Sequence, residues 1–209
     1  MNGLFITFEG ADGCGKSTQM RFFAQFLEEQ GVGVVCTREP GGSLVAEKIR
    51  ALLLDKENGE MDALTEALLY AASRAEHVRK IIKPALRSGK VVLCDRFIHS
   101  SYAYQGYGRE LGVPLVKKIN EAAVDGCLPD ITVFINIDPE KAFLRMNELK
   151  EHDRLESESL NFHKRVFEGF TALSREKDVL SIDALGTKYE THELIKEKLA
   201  PMLKTAGIL

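Results

Sequence analysis

The amino-acid sequence predicts an α/β domain in which a five-stranded parallel sheet is flanked by helices. Two observations predict this fold class. Five short apolar runs alternate with long amphipathic segments, which is the order of elements in a doubly wound sheet. Each short run is almost continuously apolar instead of alternating, as expected for strands that are covered on both faces.

The predicted elements alternate along the whole chain. The strands are Leu4–Glu9, Gly33–Thr37, Val91–Cys94, Ile131–Asn136 and Val179–Ile182. The helices are Lys16–Gln30, Ser43–Leu54, Ala63–Arg87, Leu115–Val124, Pro139–Asn147, Leu160–Glu176 and Tyr189–Lys204. Two stretches interrupt this pattern: Asp55–Met61 is a polar loop, and Asn147–Ser159 is densely charged. Most charged runs are solvated helix faces, but the position of Asn147–Ser159 after the fourth strand and its helix also fits a mobile lid.

Length and composition limit the class of protein. A chain of 209 residues predicts one domain over residues 1–209. Its net charge of -3 argues against nucleic acid as a bulk partner. The four cysteines are scattered without a CxxC pair, so free thiols in a reducing cytosol are favoured over disulfides or zinc. Because the sequence shows neither a secretion signal nor an apolar run of ~20 residues, we expect a cytoplasmic protein without a membrane partner.

A phosphate-binding motif follows the first strand. Gly10-x4-Gly15-Lys16-Ser17 matches the Walker A pattern and lies between an apolar strand and an amphipathic helix. The glycines let backbone N–H groups turn inward, and the helix N-terminus adds partial positive charge. Lys16 is predicted to reach the β- and γ-phosphates, and the Ser17 hydroxyl is predicted to bind magnesium. The alternative is a glycine-rich turn with a surface lysine. The whole predicted nucleotide-binding loop is Gly10, Ala11, Asp12, Gly13, Cys14, Gly15, Lys16, Ser17 and Thr18.

A P-loop alone does not separate kinases from GTPase switches or motor ATPases. The chain contains no NKxD guanine-reading motif. Asp183–Gly186 fits DxxG, but it follows the last strand and is too late for a switch. No glutamate directly follows an aspartate at a strand end, as in ATPases that activate water. These observations favour phosphoryl transfer to a second substrate.

Three segments carry candidate residues for that second substrate. Residues 37–42 and 95–106 follow the second and third strands, where open α/β sheets bind ligands. On the long helix, Tyr70 and Arg74 lie one turn apart, so a flat ring and a guanidinium can contact one ligand, such as a pyrimidine. A boundary tyrosine with a solvated arginine is the alternative. The predicted core stripe of this helix is Leu64, Leu68, Ala71, Ala75, Val78 and Ile82, with Tyr70, Arg74 and His77 beside it at the edge of the core.

The motifs FEGADGCGKSTQ, TREPGG, ALLYAASRAEH, CDRFIHSSYAYQG and DRLE together resemble bacterial thymidylate kinase, from Phe8 to about Gly169. The resemblance implies the P-loop NTPase fold with a short lid over about residues 147–159, dTMP as acceptor, and ATP with Mg²⁺ as donor. It also implies roles for individual residues. Tyr70 stacks on the base, Arg74 donates to a thymine carbonyl, and Arg96 grips the dTMP phosphate. Asp95 helps to organise magnesium, and Asp12 lies near the sugar and phosphates. Ser101 and Gln105 face the base, Tyr104 crowds the 2′ position of the sugar, and Glu39 and Arg50 lie near this pocket.

The chemistry of such a transfer needs cations more than a base. The acceptor is already an oxyanion near pH 7, and the five histidines form no obvious catalytic pair. Two like charges ~4 Å apart repel by ~4 kcal/mol at an effective dielectric of ~20. Lys16, Arg96 and magnesium therefore have to neutralise the negative charge of the donor and acceptor phosphates. Because the loop stretch Asp12–Cys14 has no arginine, the resemblance implies that the lid supplies the last cation. The candidates are Arg154, Lys150 and Arg145, in that order.

Several expectations have less support. The resemblance implies a homodimer, for which the Ala63–Arg87 helix offers surface. Asp183–Thr187 is expected to line the nucleobase of ATP, from its position after the last strand. Two alternative functions remain open from the sequence: another nucleotide or deoxynucleoside kinase of the same fold, and a regulatory NTPase without an acceptor.

Overall fold

The computed structural model describes residues 3–137, 153–184 and 186–209. Five strands form one parallel sheet: β1 (Phe5–Glu9), β2 (Val34–Arg38), β3 (Val91–Asp95), β4 (Ile131–Asn136) and β5 (Val179–Asp183). The strand order is β2-β3-β1-β4-β5. Since β1 is central and all strands point the same way, the segments that follow β1, β2 and β3 meet at one edge of the sheet. The predicted five-stranded parallel sheet is confirmed.

Helices connect the strands. They are α1 (Lys16–Glu29), α2 (Leu44–Leu54), α3 (Ala63–His77), α4 (Lys83–Arg87), α5 (Ile98–Ser101), α6 (Val113–Val124), α7 (Leu160–Leu173) and α8 (Lys188–Thr205). A π-helical segment, Val78–Ile82, joins α3 to α4, and a second one, Tyr102–Gly108, continues α5. A short 3₁₀ helix, Lys56–Asn58, lies in the predicted polar loop. Within the described ranges, no helix combines the length and the apolar character needed to cross a bilayer.

Two apolar clusters lie on opposite faces of the sheet. Successive strand residues alternate between them: Phe5 belongs to one cluster, whereas Ile6 belongs to the other. The first cluster packs the sheet against the α3–α4 region, α6 and α7, and the second packs it against α1 and α8. The helices on both faces confirm the doubly wound arrangement.

The two edge strands differ from the expectation that every strand is covered on both faces. In β2 and β5 most residues are partly or fully exposed, and Cys36 of β2 is an exposed thiol. The reason is their place at the ends of the strand order, where a strand has one neighbour and the flanking helices reach less of its surface. Only the three inner strands are buried on both faces as predicted.

The predicted core stripe of α3 is partly wrong. Leu64 and Leu68 are 44% and 52% exposed, while Ala71 and the π-helical residues Val78 and Ile82 are buried as predicted. The face that α3 buries carries polar side chains instead: Glu66, Ser73, Arg74 and His77. Their hydrogen bonds and ion pairs offset the cost of burial, and hydropathy alone cannot reveal such pairing. The alternative of a solvated Arg74 is therefore wrong.

The segment after β3 folds in a way that the sequence analysis did not predict. Residues 98–108 form α5 and the second π-helical segment, which packs on α7. A Cβ on Gly108 would lie 2.7 Å from ring and methyl carbons of Phe162 and Val166, so the glycine permits this close packing. The predicted helix Pro139–Asn147 lies outside the described residues, as does the first part of the predicted lid. The rest of that lid, from Asp153 to Ser159, forms turns that lead into α7.

Candidate active site

A cleft of about 280 Å³ opens at the carboxyl ends of the strands. Most of the residues singled out in the sequence line it. They are Asp12, Lys16, Ser17, Glu39, Arg50, Tyr70, Arg74, Asp95, Arg96, Ser101, Tyr104 and Gln105. The cleft therefore joins the phosphate-binding loop to the residues predicted for the second substrate.

The loop between β1 and α1 has the conformation of an anion-binding turn. Gly10 has a φ of +142°, and a Cβ there would lie 2.7 Å from the carbonyl oxygen of Ile135. Gly15 is left-handed at the N-cap of α1, so the helix begins directly at Lys16. The Lys16 ammonium is buried and lies 3.3 Å from Asp12 Oδ1. The loop thus holds a fixed cation beside the backbone N–H groups at the start of α1.

The Asp12 carboxylate forms ion pairs with Lys16 of the phosphate-binding loop and with Arg96 after β3. Arg96 Nη2 donates to Asp12 Oδ1 over 2.5 Å, and the Tyr104 hydroxyl donates to Asp12 Oδ2 over 2.5 Å. The guanidinium of Arg96 also lies 5.1 Å from the centre of the Tyr104 ring. Burial by itself raises the pKa of Asp12, but the Arg96 and Lys16 charges together with the Tyr104 hydrogen bond outweigh it and lower that pKa. Asp12 therefore stays ionised and fixes Arg96 across the cleft from Lys16.

This pKa shift predicts how Asp12 contributes to stability. Since the pKa of Asp12 is lower in the folded chain than its ordinary value of 3.8, its contribution is complete above that value and is lost as the pH falls. We expect the wild type to exceed Asp12→Asn in free energy of unfolding by a constant amount from pH 8 to pH 5. Below about pH 4 the difference shrinks by up to ~1.4 kcal/mol per pH unit. Denaturant unfolding of both chains at several pH values measures it, and a difference that grows on acidification contradicts the assignment.

Ser17 and Asp95 form the part of the cleft suited to a metal ion. The Ser17 hydroxyl donates to Asp95 Oδ2, and the other carboxylate oxygen, Oδ1, is buried without a hydrogen-bond partner among the described residues. Oxygen donors of this type suit Mg²⁺, which binds few protein ligands and keeps water or phosphate oxygens. In the described ranges no group of three or more His, Cys, Asp or Glu residues could hold a metal.

Arg74 is fixed in the floor of the cleft and is only 1% exposed. Its Nε donates to Glu39 over 2.8 Å, and its Nη2 donates to the Phe97 carbonyl over 2.9 Å. Its Nη1 donates to Ser101 Oγ over 3.0 Å and to Asn120 Oδ1. Protein acceptors on several different elements thus determine the plane of the guanidinium before any ligand binds.

A second layer of residues holds Glu39. His77 Nδ1 lies 2.9 Å from Glu39 Oε1, and His77 Nε2 lies 2.7 Å from Thr37 Oγ1. His77 is fully buried, so it lies inside the core instead of at its edge, where the sequence placed it. Arg50 donates to the Pro40 carbonyl over 2.9 Å at the rim of the cleft. The TREPGG segment is therefore bound to both α2 and α3.

Of the predicted lid cations, Arg154 lies within the described residues, and it does not line the cleft. Arg145 and Lys150 lie outside those residues. Arg154 is buried, with Nη2 2.7 Å from Glu66 Oε2 and Nε donating to the Leu53 carbonyl over 2.7 Å. Its neighbours Asp153 and Leu155 line the cleft instead. The proposed adenine segment Asp183–Thr187 is described except for residue 185, and it is not among the residues that line the cleft.

Several supporting residues were missed by the sequence analysis. Glu9 is fully buried and accepts from the backbone N–H groups of Phe97 and Ser100 over 2.8 and 3.1 Å. The Ser100 hydroxyl donates to Glu9 over 2.6 Å and accepts from Arg96 over 2.9 Å. Arg96 itself has a φ of 67°, a left-handed conformation that this network holds in place. A charged residue at the end of a buried apolar strand was the available signal for Glu9, whereas Asn120 gave none.

The fold and the cleft geometry agree with the comparison with known proteins. The family model for thymidylate kinase matches residues 8–195. The chain belongs to the thymidylate kinase family. A thymidylate kinase from Finegoldia magna is 53% identical, over 87% of this chain and 90% of that protein. The one from Thermoanaerobacter pseudethanolicus is 50% identical, over 92% of this chain and 95% of that protein.

A solved structure of a thymidylate kinase is similar along nearly the whole chain. The enzyme from Ehrlichia chaffeensis superposes with a TM-score of 0.78 at 37% identity, covering 96% of this chain and 99% of that chain. Thymidylate kinases are P-loop transferases that phosphorylate dTMP with ATP. The predicted family, fold class and enzyme class, an ATP-dependent nucleoside monophosphate kinase, are therefore confirmed. The alternative of an NTPase without an acceptor is excluded.

Proposed function

We propose that the chain transfers the γ-phosphoryl group of ATP to dTMP, giving ADP and dTDP for dTTP biosynthesis. The observation that carries this proposal is the shared contact of Lys16 and Arg96 with Asp12. One cation belongs to the phosphate-binding loop for the donor, and the other to the segment predicted to bind the acceptor. A single carboxylate therefore sets the distance between the two phosphate sites.

The reaction then depends mainly on position and electrostatics. Lys16 binds the β- and γ-phosphates of ATP, and Arg96 binds the phosphate of dTMP, so that donor and acceptor approach in line. The low dielectric of a closed cleft strengthens both contacts. The dTMP phosphate is the nucleophile and is already ionised, so no side chain has to remove a proton. Asp12 keeps Arg96 from rotating away when the cleft is empty.

Magnesium is part of this proposal. Ser17 and Asp95 are the residues that would hold it, because the orphaned Asp95 Oδ1 and the Ser17 hydroxyl lie together at the mouth of the phosphate loop. When bound, the ion supplies positive charge to the phosphate oxygens of ATP. We propose that the lid supplies one further positive charge, which contacts the transferring phosphoryl group beside Lys16, Arg96 and magnesium. For Arg154 to take this role it has to exchange Glu66 for a phosphoryl oxygen, whereas Lys150 and Arg145 are the other candidates.

The acceptor base is proposed to stack on Tyr70 and to meet Arg74, Ser101 and Gln105. Burial and the nearby Glu66 carboxylate raise the pKa of Tyr70, so the ring stays neutral beside the base. Glu39 and Arg50 complete this side of the cleft. Tyr104 lines the cleft and its hydroxyl donates to Asp12, and its ring is proposed to exclude a 2′-hydroxyl.

Removal of the Tyr104 ring is expected to relax sugar selectivity. Tyr104→Ala should accept the ribonucleotide analogue of dTMP at least tenfold better relative to dTMP, because the excluded space becomes free. Tyr104→Phe is the matched control, since it keeps the ring and removes only the hydroxyl that donates to Asp12. Steady-state kinetics with both sugars measure the ratio. Equal selectivity in the wild type and Tyr104→Ala would show that the ring does not read the sugar.

The acceptor identity is tested by coupled ADP release with dTMP, dUMP, dCMP, AMP and thymidine. We expect dTMP to give the highest kcat/KM. Equal or better turnover with dCMP or AMP would reject the proposed acceptor. ADP release that does not respond to added dTMP would reject transfer altogether.

The chain is also proposed to act as a cytoplasmic homodimer of single-domain subunits. Helices α2 and α3 pack together and expose large apolar side chains on their outer surface: Leu44, Val45, Leu52, Leu64 and Leu68. Exposed apolar surface of this kind is typical of an interface. Four free cysteines suit a reducing compartment. Sedimentation equilibrium of the purified chain tests the dimer, and a monomer at micromolar concentration would contradict it.

A further inference from the structure

Glu66 on α3 is a buried charge outside the predicted set of site residues. Its side chain is fully buried one turn before Tyr70. A carboxylate in such a place is costly unless donors surround it. The donors come from two segments far apart in sequence: Gln105 and Arg109 lie in and directly after the second π-helical segment, and Arg154 lies in the Asp153–Ser159 turn. Glu66 therefore joins α3 to two other segments that contribute residues to the cleft.

The contact with Gln105 has a chemical consequence. Gln105 Nε2 donates to Glu66 Oε1 over 2.9 Å. A carboxylate can only accept hydrogen bonds, so it selects the amide orientation in which the NH₂ group faces Glu66. Gln105 lines the cleft, and its Oε1 has no hydrogen-bond partner among the described residues. The side chain is thereby left with an acceptor for a ligand in the cleft.

The two arginines hold the same carboxylate in place. Arg109 Nη2 lies 2.9 Å from Glu66 Oε2, and Arg154 Nη2 lies 2.7 Å from the same oxygen. Arg154 also donates its backbone N–H to the Leu54 carbonyl over 3.1 Å. Arg109 Nε donates to the other oxygen, Glu66 Oε1, over 3.3 Å. Both oxygens therefore have an arginine partner, and the Gln105 amide cannot rotate without losing a charge-assisted hydrogen bond.

We propose that Glu66 is a positioning residue that sets the specificity for the acceptor base through Gln105. The fixed Oε1 matches a pyrimidine whose N3 carries a hydrogen, as in thymine and uracil. Cytosine presents a lone pair at N3 and meets a second acceptor, which is unfavourable. This inference rests on the proposed function, because it concerns the same acceptor site.

The test compares dTMP with 5-methyl-dCMP, which differ only at N3, the position proposed for Gln105, and at the C4 substituent, the position proposed for Arg74. Since Arg74 is the same in every chain compared, a change in preference between the wild type and a Glu66 variant reports on Gln105. In Glu66→Gln the new amide can donate as well as accept, so Gln105 is free to turn its NH₂ group into the cleft. We expect the ratio of kcat/KM for dTMP over 5-methyl-dCMP to fall about tenfold. We also expect KM for dTMP to rise while KM for ATP and kcat change less than threefold. Glu66→Asp, which retains the charge, should restore part of the ratio.

Glu158→Gln is the matched control. Glu158 lies 2.6 Å from Arg109 but makes no contact with Gln105, so its neutralisation should leave the ratio unchanged. If Glu66→Gln does not fold, the charge-balanced double variant Glu66→Gln with Arg154→Gln supplies the same ratio, in which a loss of kcat that is common to both substrates cancels.

The outcomes separate this inference from the proposed function. A wild type that does not prefer dTMP over 5-methyl-dCMP rejects the proposed acceptor. A wild type that prefers dTMP, combined with a folded Glu66→Gln whose ratio lies within twofold of it, rejects only the role of Glu66. If the ratio falls equally in Glu158→Gln, the role of Glu66 is also rejected. The effect would then come from the loss of any negative charge beside Arg109.

Discussion

Lys16→Met is expected to lower kcat by a factor on the order of 10²–10³ without unfolding the chain. Methionine has nearly the same length as lysine and keeps the apolar stem in its buried place at the start of α1. What is lost is the positive charge beside Asp12, 3.3 Å away. The γ-phosphoryl group then develops its charge without the fixed cation of the phosphate-binding loop.

The measurement is steady-state kinetics with saturating ATP and dTMP, together with a thermal unfolding curve. Lys204→Met is the control, since Lys204 is exposed near the end of α8. A fall in kcat that matches a fall in the folded fraction would point to a structural defect. Near-normal turnover in a folded Lys16→Met would refute the assignment of the phosphate loop.

Arg96→Met is expected to lower kcat/KM for dTMP by a factor on the order of 10³. Two effects add in the same direction. The acceptor phosphate loses its guanidinium, and Asp12 loses the partner that lies 2.5 Å from its Oδ1, so a negative charge remains where the acceptor phosphate has to bind. KM for ATP should change much less, because Lys16 and the backbone of the loop remain.

The double variant Asp12→Asn with Arg96→Met separates these effects. Removal of the unpaired carboxylate should recover part of the lost affinity for dTMP, which a double-mutant cycle measures as a coupling between the two positions. Additive losses would mean that Asp12 does not act through Arg96. Arg96→Lys retains the charge but not the two-pronged donor geometry, and an intermediate value is expected for it.

The sequence predicted the strands well because their signal is local. Each predicted strand boundary lies within one residue of the observed one, as for Leu4–Glu9 against Phe5–Glu9. A continuous apolar run and the loop that ends it are enough to locate a buried strand. The same reasoning failed on α3, because it assigns the buried face from apolar residues. Arg74 and His77 are buried by partners that lie 35 and 38 residues away at Glu39.

In the candidate site, too, local signals were found from the sequence and long-range contacts were missed. Residues in compact motifs, such as Lys16 and Arg96, were found from the sequence and do line the cleft. The residues that hold them were not found. Glu9, Glu66 and Asn120 act across separations of 88, 39 and 46 residues. Glu66 and Asn120 lie outside the quoted motifs, and Glu9 lies in a motif whose pattern gives it no role. Only the folded arrangement brings a buried carboxylate or amide next to the side chain that it orients.

The exposed position of Cys36 on the edge strand β2 makes the chain suitable for optical measurements. All four cysteines lie in the described ranges, and the other three are buried. Partial desolvation of its sulfur and the nearby Glu28 carboxylate raise the pKa of the Cys36 thiol, so coupling to a maleimide dye should become faster as the pH rises. Cys36 precedes the cleft residue Arg38 by two positions. The unaltered chain therefore carries its own attachment point for a fluorescent reporter close to where nucleotides bind.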